Sequence, residues 1–368
     1  MQLKVGKSPG IDGIPAEVYQ HGEKQCSISS RICSPIVGRK GLPQDLGDSV
    51  IVSLYKNKGE KSDCSNYRGI TLLSIAGKIL ARVLMNRLIP TIAQENTPES
   101  QCGFRSNRGT VDIIFVLRQI QKKCREQNMG IYAAFVDLTK TFGTVSHDGL
   151  WKILARLGYP PKFLTILRQL HEDQQGQVKH DGSLFGSYPI SNGVKQGCIL
   201  APTLFSIFFS IMFREAKEDL PDGIYIHFRT DGSLFNFRRL LARTKTIEEL
   251  ITELLFADDC ALLDHTEEAF QHIVNRFSDA AENFGLTISL RKTEVLNQPP
   301  SRVAYTPPHF SIDGTNLNAM EHFTYPGSVV SNDVTVSKDL DNRLSKASSS
   351  CGRLSQGVWQ SPSLRLST

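Results

Sequence analysis

Apolar residues recur along this chain with two periods. Over residues 49–55 and 131–138 they form short, nearly continuous runs that predict buried strands, the second ending at Asp137. Residues 254–263 hold two such runs around Asp258 and Asp259, which predicts a hairpin with both carboxylates at its tip. A second hairpin is read over 177–190, a strand or hairpin over 323–330, and short strands over 286–289 and 294–296. Elsewhere the period is helical. A short helix from Ala16 follows a Gly/Pro-rich loop over 7–15, and residues 26–41 predict no element. Residues 66–71 lead into a helix to about residue 92, with Leu80, Leu84 and Leu88 on one stripe. Thr110 is read as the cap of a helix carrying Val111, Ile114, Phe115 and Leu117. Asp148 is read as the cap of one carrying Leu150, Ile153, Leu154 and Leu157, stopped by Gly158. Pro160 and Pro161 open a helix to about residue 171, and Pro202 opens a largely buried one to about residue 218. Thr266 caps an amphipathic helix with Phe270, Ile273, Val274, Phe277, Ala281 and Phe284 on one face. Beyond Lys338 the chain reads as helical, basic and serine-rich. Strand, helices, hairpin, helix and strand in that order predict an α+β fold, a mostly antiparallel sheet backed by helices.

The 368 residues are enough for two or three domains' worth of core, and 40% hydrophobic with 21% charged is an ordinary globular balance. The net charge of +5 hides local bias. Residues 56–87 carry seven basic side chains against Glu60 and Asp63, and residues 101–125 carry six against Asp112. Two basic segments upstream of an acidic hairpin fit a polyanion held over a metal centre; solvated helix faces are the competing account of each. The eight cysteines show no C-x-x-C and no zinc-knuckle spacing, which predicts free thiols in a reducing compartment. The N-terminus has no signal-peptide core, and the most apolar stretch, 200–213, is too short to span a bilayer. The expected location is intracellular, nuclear or cytoplasmic, with no membrane partner.

Two adjacent carboxylates repel each other, and a hard divalent cation relieves that repulsion. Asp residues that merely satisfy turn geometry are the simpler account of an isolated pair. The apolar flanks on both sides and a third carboxylate, Asp137, at the end of a buried strand weigh against it. Three carboxylates on adjacent strands are able to hold two Mg²⁺ ions about 3.5–4 Å apart, the arrangement that activates a 3′-hydroxyl and stabilises leaving pyrophosphate.

Phe135-Val136-Asp137-Leu138-Thr139-Lys140, Gly193-Val194-Lys195-Gln196-Gly197-Cys198 and Phe256-Ala257-Asp258-Asp259 resemble motifs A, B and C of reverse transcriptases, most closely those of non-LTR (LINE-type) retrotransposons. Residues 7–19, 66–73, 101–105, 285–296 and 323–330 are similar to further segments of that family, so the resemblance runs in order along nearly the whole chain. It implies a right-hand polymerase: an N-terminal extension over 1–47, fingers over 48–129, palm over 130–325, and a primer-grip end with partial thumb over 326–368. It also implies RNA-directed DNA polymerase activity with an RNA template, a DNA primer, dNTPs and Mg²⁺, Mn²⁺ being a substitute. Asp137, Asp258 and Asp259 take the place of the metal ligands and catalytic carboxylates. Phe142 takes that of the steric gate against a ribose 2′-hydroxyl, and Gln196 and Gly197 line the nucleotide pocket. Lys56 and Arg68 bind the incoming triphosphate, and Lys292 stands near the leaving group.

Three positions depart from the family pattern. Thr141 stands for Ala and Gly143 for Asp beside the gate, and Pro326 stands for an aliphatic residue in the primer-grip hairpin. Gly143 is expected to reach positive φ and loosen the gate, and Pro326 to delete a ladder donor. The alternative reading is therefore a decayed nucleic-acid-binding remnant of the same element. A group II intron maturase-like or telomerase-like protein shares the palm, and an unrelated Mg²⁺-dependent enzyme is more distant. The short stretch before residue 49 leaves no room for an endonuclease in front, and none is expected in this chain.

Overall fold

The computed structural model describes residues 6, 8–21, 41–57, 59–88, 96–105, 107–218, 223–229, 246–325 and 327–360. Most of segment 26–41, read above as lacking an element, and Lys7 and Pro326 lie outside these residues.

In chain order, α1 (Ala16–His21) precedes β1 (Ser49–Tyr55) and β2 (Tyr67–Leu73), and α2 is Ile75–Leu88. The stretch read as a lead-in to α2 is therefore a full strand, paired antiparallel with β1 from Ser49↔Leu73 to Tyr55↔Tyr67. α3 (Thr110–Glu126) starts at Thr110 rather than after it, and Asp112 Oδ2 accepts from Gly109 N–H at 2.7 Å. Its buried face is Ile113, Ile114, Leu117, Ile120 and Cys124, whereas Val111 and Phe115 are 79% and 61% exposed, so the predicted stripe is turned by about one residue. β3 (Ile131–Val136), the short α4 (Thr141–Thr144) and α5 (His147–Arg156) follow. The cap of α5 is Ser146, whose hydroxyl accepts from Gly149 N–H, and Asp148 sits in the first turn, where a negative charge favours the helix dipole. α6 (Pro161–Gln169), the hairpin of β4 (Gln175–His180) and β5 (Ser183–Pro189), and α7 (Ala201–Ala216) come next. Then β6 (Ile224–Arg229) pairs with β7 (Thr246–Ile251), and β8 (Glu253–Phe256) with β9 (Asp259–Asp264). α8 (Glu267–Asn283) is capped by Thr266 as predicted, its hydroxyl accepting from Ala269 N–H at 3.3 Å. β10 (Glu294–Gln298), the short strands β11 (Ser311–Ile312), β12 (Thr315–Asn316) and β13 (Asn318–Met320), the hairpin of β14 (His322–Tyr325) and β15 (Ser328–Ser331), and α9 (Ser337–Leu354) complete the described α-helices and strands. The strand expected over 286–289 does not form beside β10.

Chain contacts divide the protein into two compact units. The first comprises Met1–Phe104, Leu138–Glu218 and Phe277–Thr287; the second comprises Arg105–Asp137, Asp219–Arg276 and Ile288–Thr368. In the first, a sheet of order β2-β1-β4-β5 is antiparallel except for β1 and β4. α7 is buried nearly all round, as its apolar run dictates, with Phe205 on Phe209 at 5.5 Å and Phe209 on Phe213 at 6.0 Å between ring centroids.

In the second, the sheet order is β13-β10-β3-β9-β8, antiparallel except for β10 and β13. β3 lies at its centre, and a central strand covered on both faces needs the near-continuous apolar run that residues 131–136 provide. Phe135 stacks on Phe323 of β14, with centroids 4.2 Å apart and planes 15° apart, which fixes the β14–β15 hairpin to the sheet. The far side of that hairpin is held by the buried Asp339 of α9. It accepts from Val329 N–H at 2.9 Å and from Arg118 and Arg343 at 2.8 and 3.1 Å. Burial alone raises its carboxyl, but Val329 N–H and the two guanidiniums outweigh that and hold it below the ordinary carboxylate range. Asp339→Ala is expected to cost about 2 kcal/mol in urea unfolding near neutral pH. A lowered carboxylate contributes above its unfolded pKa and loses that contribution as pH falls. The gap between parent and variant should therefore narrow on acidification, and a pH-independent gap would mean packing alone is at work.

Candidate active site

β3 ends at Val136, and the cross-strand register Ala134↔Leu262, Phe135↔Ala261, Val136↔Cys260 carries Asp137 to the position opposite Asp259. Opposite residues of an antiparallel pair share a face. β8 and β9 close at Phe256↔Asp259, leaving Ala257 and Asp258 as a two-residue turn. Ala257 has φ 59°, the positive first central position of a type II′ hairpin turn. The predicted hairpin thus forms, and Asp258 and Asp259 occupy its tip. Asp137 is pinned through its backbone. Its N–H donates to Thr293 Oγ1 at 3.3 Å and its carbonyl accepts from Ser289 N–H at 2.8 Å. Lys292, in the same tight turn, places Nζ 3.0 Å from Asp137 Oδ2, with the lysine side chain 65% exposed and the aspartate 40%.

The three carboxylates feel one another. Asp259 presents surface to solvent, yet protein crowds its carboxyl, and that desolvation is the largest cause of a pKa raised to about 6. The charges of Asp258 and then Asp137 add to it. Among the described residues no three His, Cys, Asp or Glu side chains are already gathered in ligating geometry. The donor set nevertheless fits a hard cation: three carboxylates share one local potential, Asp259 is driven toward its neutral form by desolvation first and by the other two after it, and Asp137 borrows a lysine as counter-ion.

The first unit holds the predicted nucleotide residues other than Lys292. Leu54 pairs with Arg68, and Lys56 lies two residues beyond Leu54, so Lys56 and Arg68 share one face of the β1–β2 hairpin; both are exposed. Gln196 is brought to β2, its carbonyl accepting from Thr71 N–H at 2.9 Å. Gly197 has φ 120°, and a Cβ there would lie 2.5 Å from the Thr71 carbonyl oxygen. Only glycine meets both demands, and Gly197→Ala is expected to lower stability by about 1–3 kcal/mol. Thermal unfolding that matched the parent would show the loop yields freely. Phe142 is half-buried, with its ring 4.7 Å from Phe205 and 6.4 Å from Phe104, and its carbonyl accepts from Val194 N–H at 2.6 Å.

These contacts correct the reading of Gly143. It lies inside α4 and is not at positive φ, and a Cβ there would meet nothing within 4 Å. The left-handed residue is Lys140, φ 49°, just before α4. Thr141 Oγ1 donates to Leu138 O at 3.2 Å, so the buried hydroxyl is satisfied. Neither departure places the backbone at positive φ.

Two residues with a hold on the site carry no role in the sequence reading. Tyr325 Oη donates to Leu254 O at 2.9 Å and lies 3.4 Å from Asp259 O, tying β14 to both strands of the carboxylate hairpin. Lys195 is buried, donates to Gly47 O and to Leu170 O (3.3 Å), and is lowered by desolvation to about 8. A basic residue between Val194 and Gln196 was its only trace in the sequence; Tyr325 shows as the alternate apolar position of a strand.

An antiparallel sheet that carries a carboxylate at the end of its central strand and two more on the adjoining hairpin defines the palm of a right-hand polymerase. Residues 56–330 match the reverse transcriptase (RNA-dependent DNA polymerase) family, and the chain belongs to that family. The RNA-directed DNA polymerase from mobile element jockey of Drosophila melanogaster is 25% identical over 349 residues, covering 93% of this chain and 35% of the relative. The Retrovirus-related Pol polyprotein from type-2 retrotransposable element R2DM, from the same fly, is 23% identical over 291 residues, covering 79% and 25%. The Transposon TX1 uncharacterized 149 kDa protein of Xenopus laevis is 28% identical over 202 residues, covering 55% and 15%. The resemblance to non-LTR retrotransposon enzymes is thereby borne out, and the chain spans about a third of the length of the jockey relative. Among solved structures, telomerase from Candida albicans in complex with a fragment of telomeric RNA has a TM-score of 0.45 at 13% identity, covering 81% of this chain and 48% of that one. No helix among the described residues is long and apolar enough to cross a membrane.

Proposed function

We propose that this chain is the polymerase core of a non-LTR retrotransposon protein, extending a DNA 3′-hydroxyl on an RNA template with dNTPs. The observation that carries the reading is the register of β3 on β9, which sets Asp137 opposite Asp259 with Asp258 in the adjoining turn. Asp137, Asp258 and Asp259 are the residues we assign to hold Mg²⁺, or Mn²⁺ in its place. When bound, the divalent ions supply a more acidic 3′-hydroxyl and charge neutralisation of the pyrophosphate. The chain's own residues do the rest. The Ser289–Thr293 contacts hold the Asp137 backbone, so its carboxylate does not need to search for its position. Lys292 pairs with Asp137 until the site is loaded, and its exposed ammonium is then free to turn toward the leaving phosphates. Lys56 and Arg68 collect the triphosphate from one face of β1–β2. Gln196 and Gly197 form a wall by their close backbone approach to Thr71. The Phe142 ring, backed by Phe205, stands against a 2′-hydroxyl. Fingers over 48–129, palm over 130–325 and a partial thumb from 326 remain the proposed domains.

The test is primer extension. Purified protein, a DNA primer annealed to an RNA template, dNTPs and Mg²⁺ or Mn²⁺ should give template-directed products. Hybrid binding without extension in either metal would replace the polymerase with the non-catalytic remnant of the same fold.

A further inference from the structure

A second recess, built wholly from the first unit, shares no residue with the site above. It has a volume of about 470 Å³ and opens where the start of α5 meets the end of α6 and the loop after β5. Its wall is aromatic. His147, Trp151 and His171 form a closed triangle of rings, with centroids 5.9 Å (His147–Trp151), 5.4 Å (Trp151–His171) and 5.4 Å (His147–His171) apart.

The polar groups in that wall are unusual in what they leave open. His171 is 5% exposed, and its Nδ1 donates to the Leu167 carbonyl at 2.8 Å. Burial drives its pKa down to about 3, so the ring is neutral and Nε2 carries a lone pair and no proton. Nε2 therefore accepts and never donates. Gln174, fully buried, also lines the recess, and neither its amide oxygen nor its amide nitrogen has a partner. The Gln174 amide is closed off from the recess, which leaves His171 Nε2 as the acceptor in its wall. Lys152 and Arg168 stand at the rim, exposed, among the carboxylates of Asp148, Glu172 and Asp173. Two cations among three anions do not favour a triphosphate, but they accommodate a single phosphate group.

We propose that this recess binds one unpaired nucleobase that bears an exocyclic amine. The base lies against the half-buried His147 ring, with the buried Trp151 ring beneath it, and its amine donates to His171 Nε2. Its one phosphate meets Lys152 or Arg168. Bases splayed out of a single strand are recognised by aromatic stacking with edge hydrogen bonds. The chemistry is the same for a base within an RNA strand and for a free nucleoside monophosphate.

The chain has two tryptophans, Trp151 and Trp359. In a Trp359→Phe background, fluorescence reports on Trp151 alone, and the titrations are run without divalent metal. Adenosine 5′-monophosphate and a short oligoadenylate RNA are the probes. Inosine 5′-monophosphate and oligouridylate, which lack the amine, are the controls. We expect saturable quenching by at least one adenine probe, with the matching control at least about tenfold weaker. Saturation by the RNA alone assigns the site to a strand, and by the monophosphate alone to a free nucleotide. His171→Phe keeps the ring and removes the acceptor, and should weaken the adenine probe by about tenfold without moving the control. Absence of saturable quenching by either adenine probe overturns the proposal. So does equal binding of adenosine and inosine monophosphates in the parent background, a comparison that needs no change in the recess.

Discussion

Asp259→Asn is expected to lower primer extension by roughly a thousandfold. A charge-stabilising ligand supplies several kcal/mol, and about 1.4 kcal/mol is a factor of ten in rate. Affinity for an RNA–DNA hybrid should hardly change, because the basic segments over 56–87 and 101–125, not the hairpin tip, carry the opposite charge to nucleic acid. The same substitution should make the metal-free protein more stable. The Asp259 carboxyl is raised to about 6, first by desolvation and then by Asp258 and Asp137. A raised carboxyl contributes fully below its unfolded pKa, and that contribution is lost as pH rises through the folded value. Above about pH 6 the parent therefore bears a repulsion that asparagine does not. The variant's Tm should exceed the parent's at about pH 7.5, and the difference should close toward about pH 4. Undiminished turnover would remove Asp259 from the mechanism. A variant Tm at or below the parent's near neutrality would mean the three carboxylates do not crowd one another.

The second large effect belongs to the sheet that carries them. Phe135 is buried, stacks on Phe323 at 4.2 Å and lies 5.1 Å from the Tyr325 ring. Phe135→Ala should cost about 3–5 kcal/mol, the range for truncating a fully packed aromatic, read from the urea midpoint at constant m-value. Phe135→Leu should recover much of that loss by filling the space. Since Phe135 stands two residues before Asp137 and Tyr325 reaches the carbonyls of both hairpin strands, extension per folded molecule should fall as well. A penalty under about 1 kcal/mol would show that the β14–β15 hairpin repacks without the stack.

What the sequence disclosed follows from the range of the interactions involved. β1, the carboxylate hairpin and the Thr266 cap depend on neighbours a few residues away, and their bounds match the structure closely. β2 was read as a lead-in to α2 because Arg68 and Gly69 interrupt its apolar pattern. Its strand character comes from pairing with β1 across the loop of residues 56–66. The capping errors at Thr110 and Asp148 share a cause: several oxygen-bearing side chains compete for one helix start, and tertiary packing selects Asp112 and Ser146. The three aspartates were legible as types at strand ends. Their mutual placement was not, because the order β10-β3-β9 joins strands more than a hundred residues apart. Lys195 and Tyr325 act through backbone carbonyls of distant segments, and no local pattern marks such partners.

A single methyl group at the hairpin tip sets two quantities against each other. Ala257 holds a positive φ of 59° with its side chain buried, a conformation that costs an L-residue about 1–2 kcal/mol relative to glycine. Glycine at this position would relieve that cost and deepen the native energy minimum. It would also broaden the minimum, since the turn would sample backbone states that the Cβ now forbids. The carboxylate of Asp258 hangs from the next residue, so a wider basin means a wider spread of oxygen positions. The hairpin's tolerance to heat and the sharpness of its carboxylate geometry are thus opposed at residue 257, and the alanine trades the first for the second.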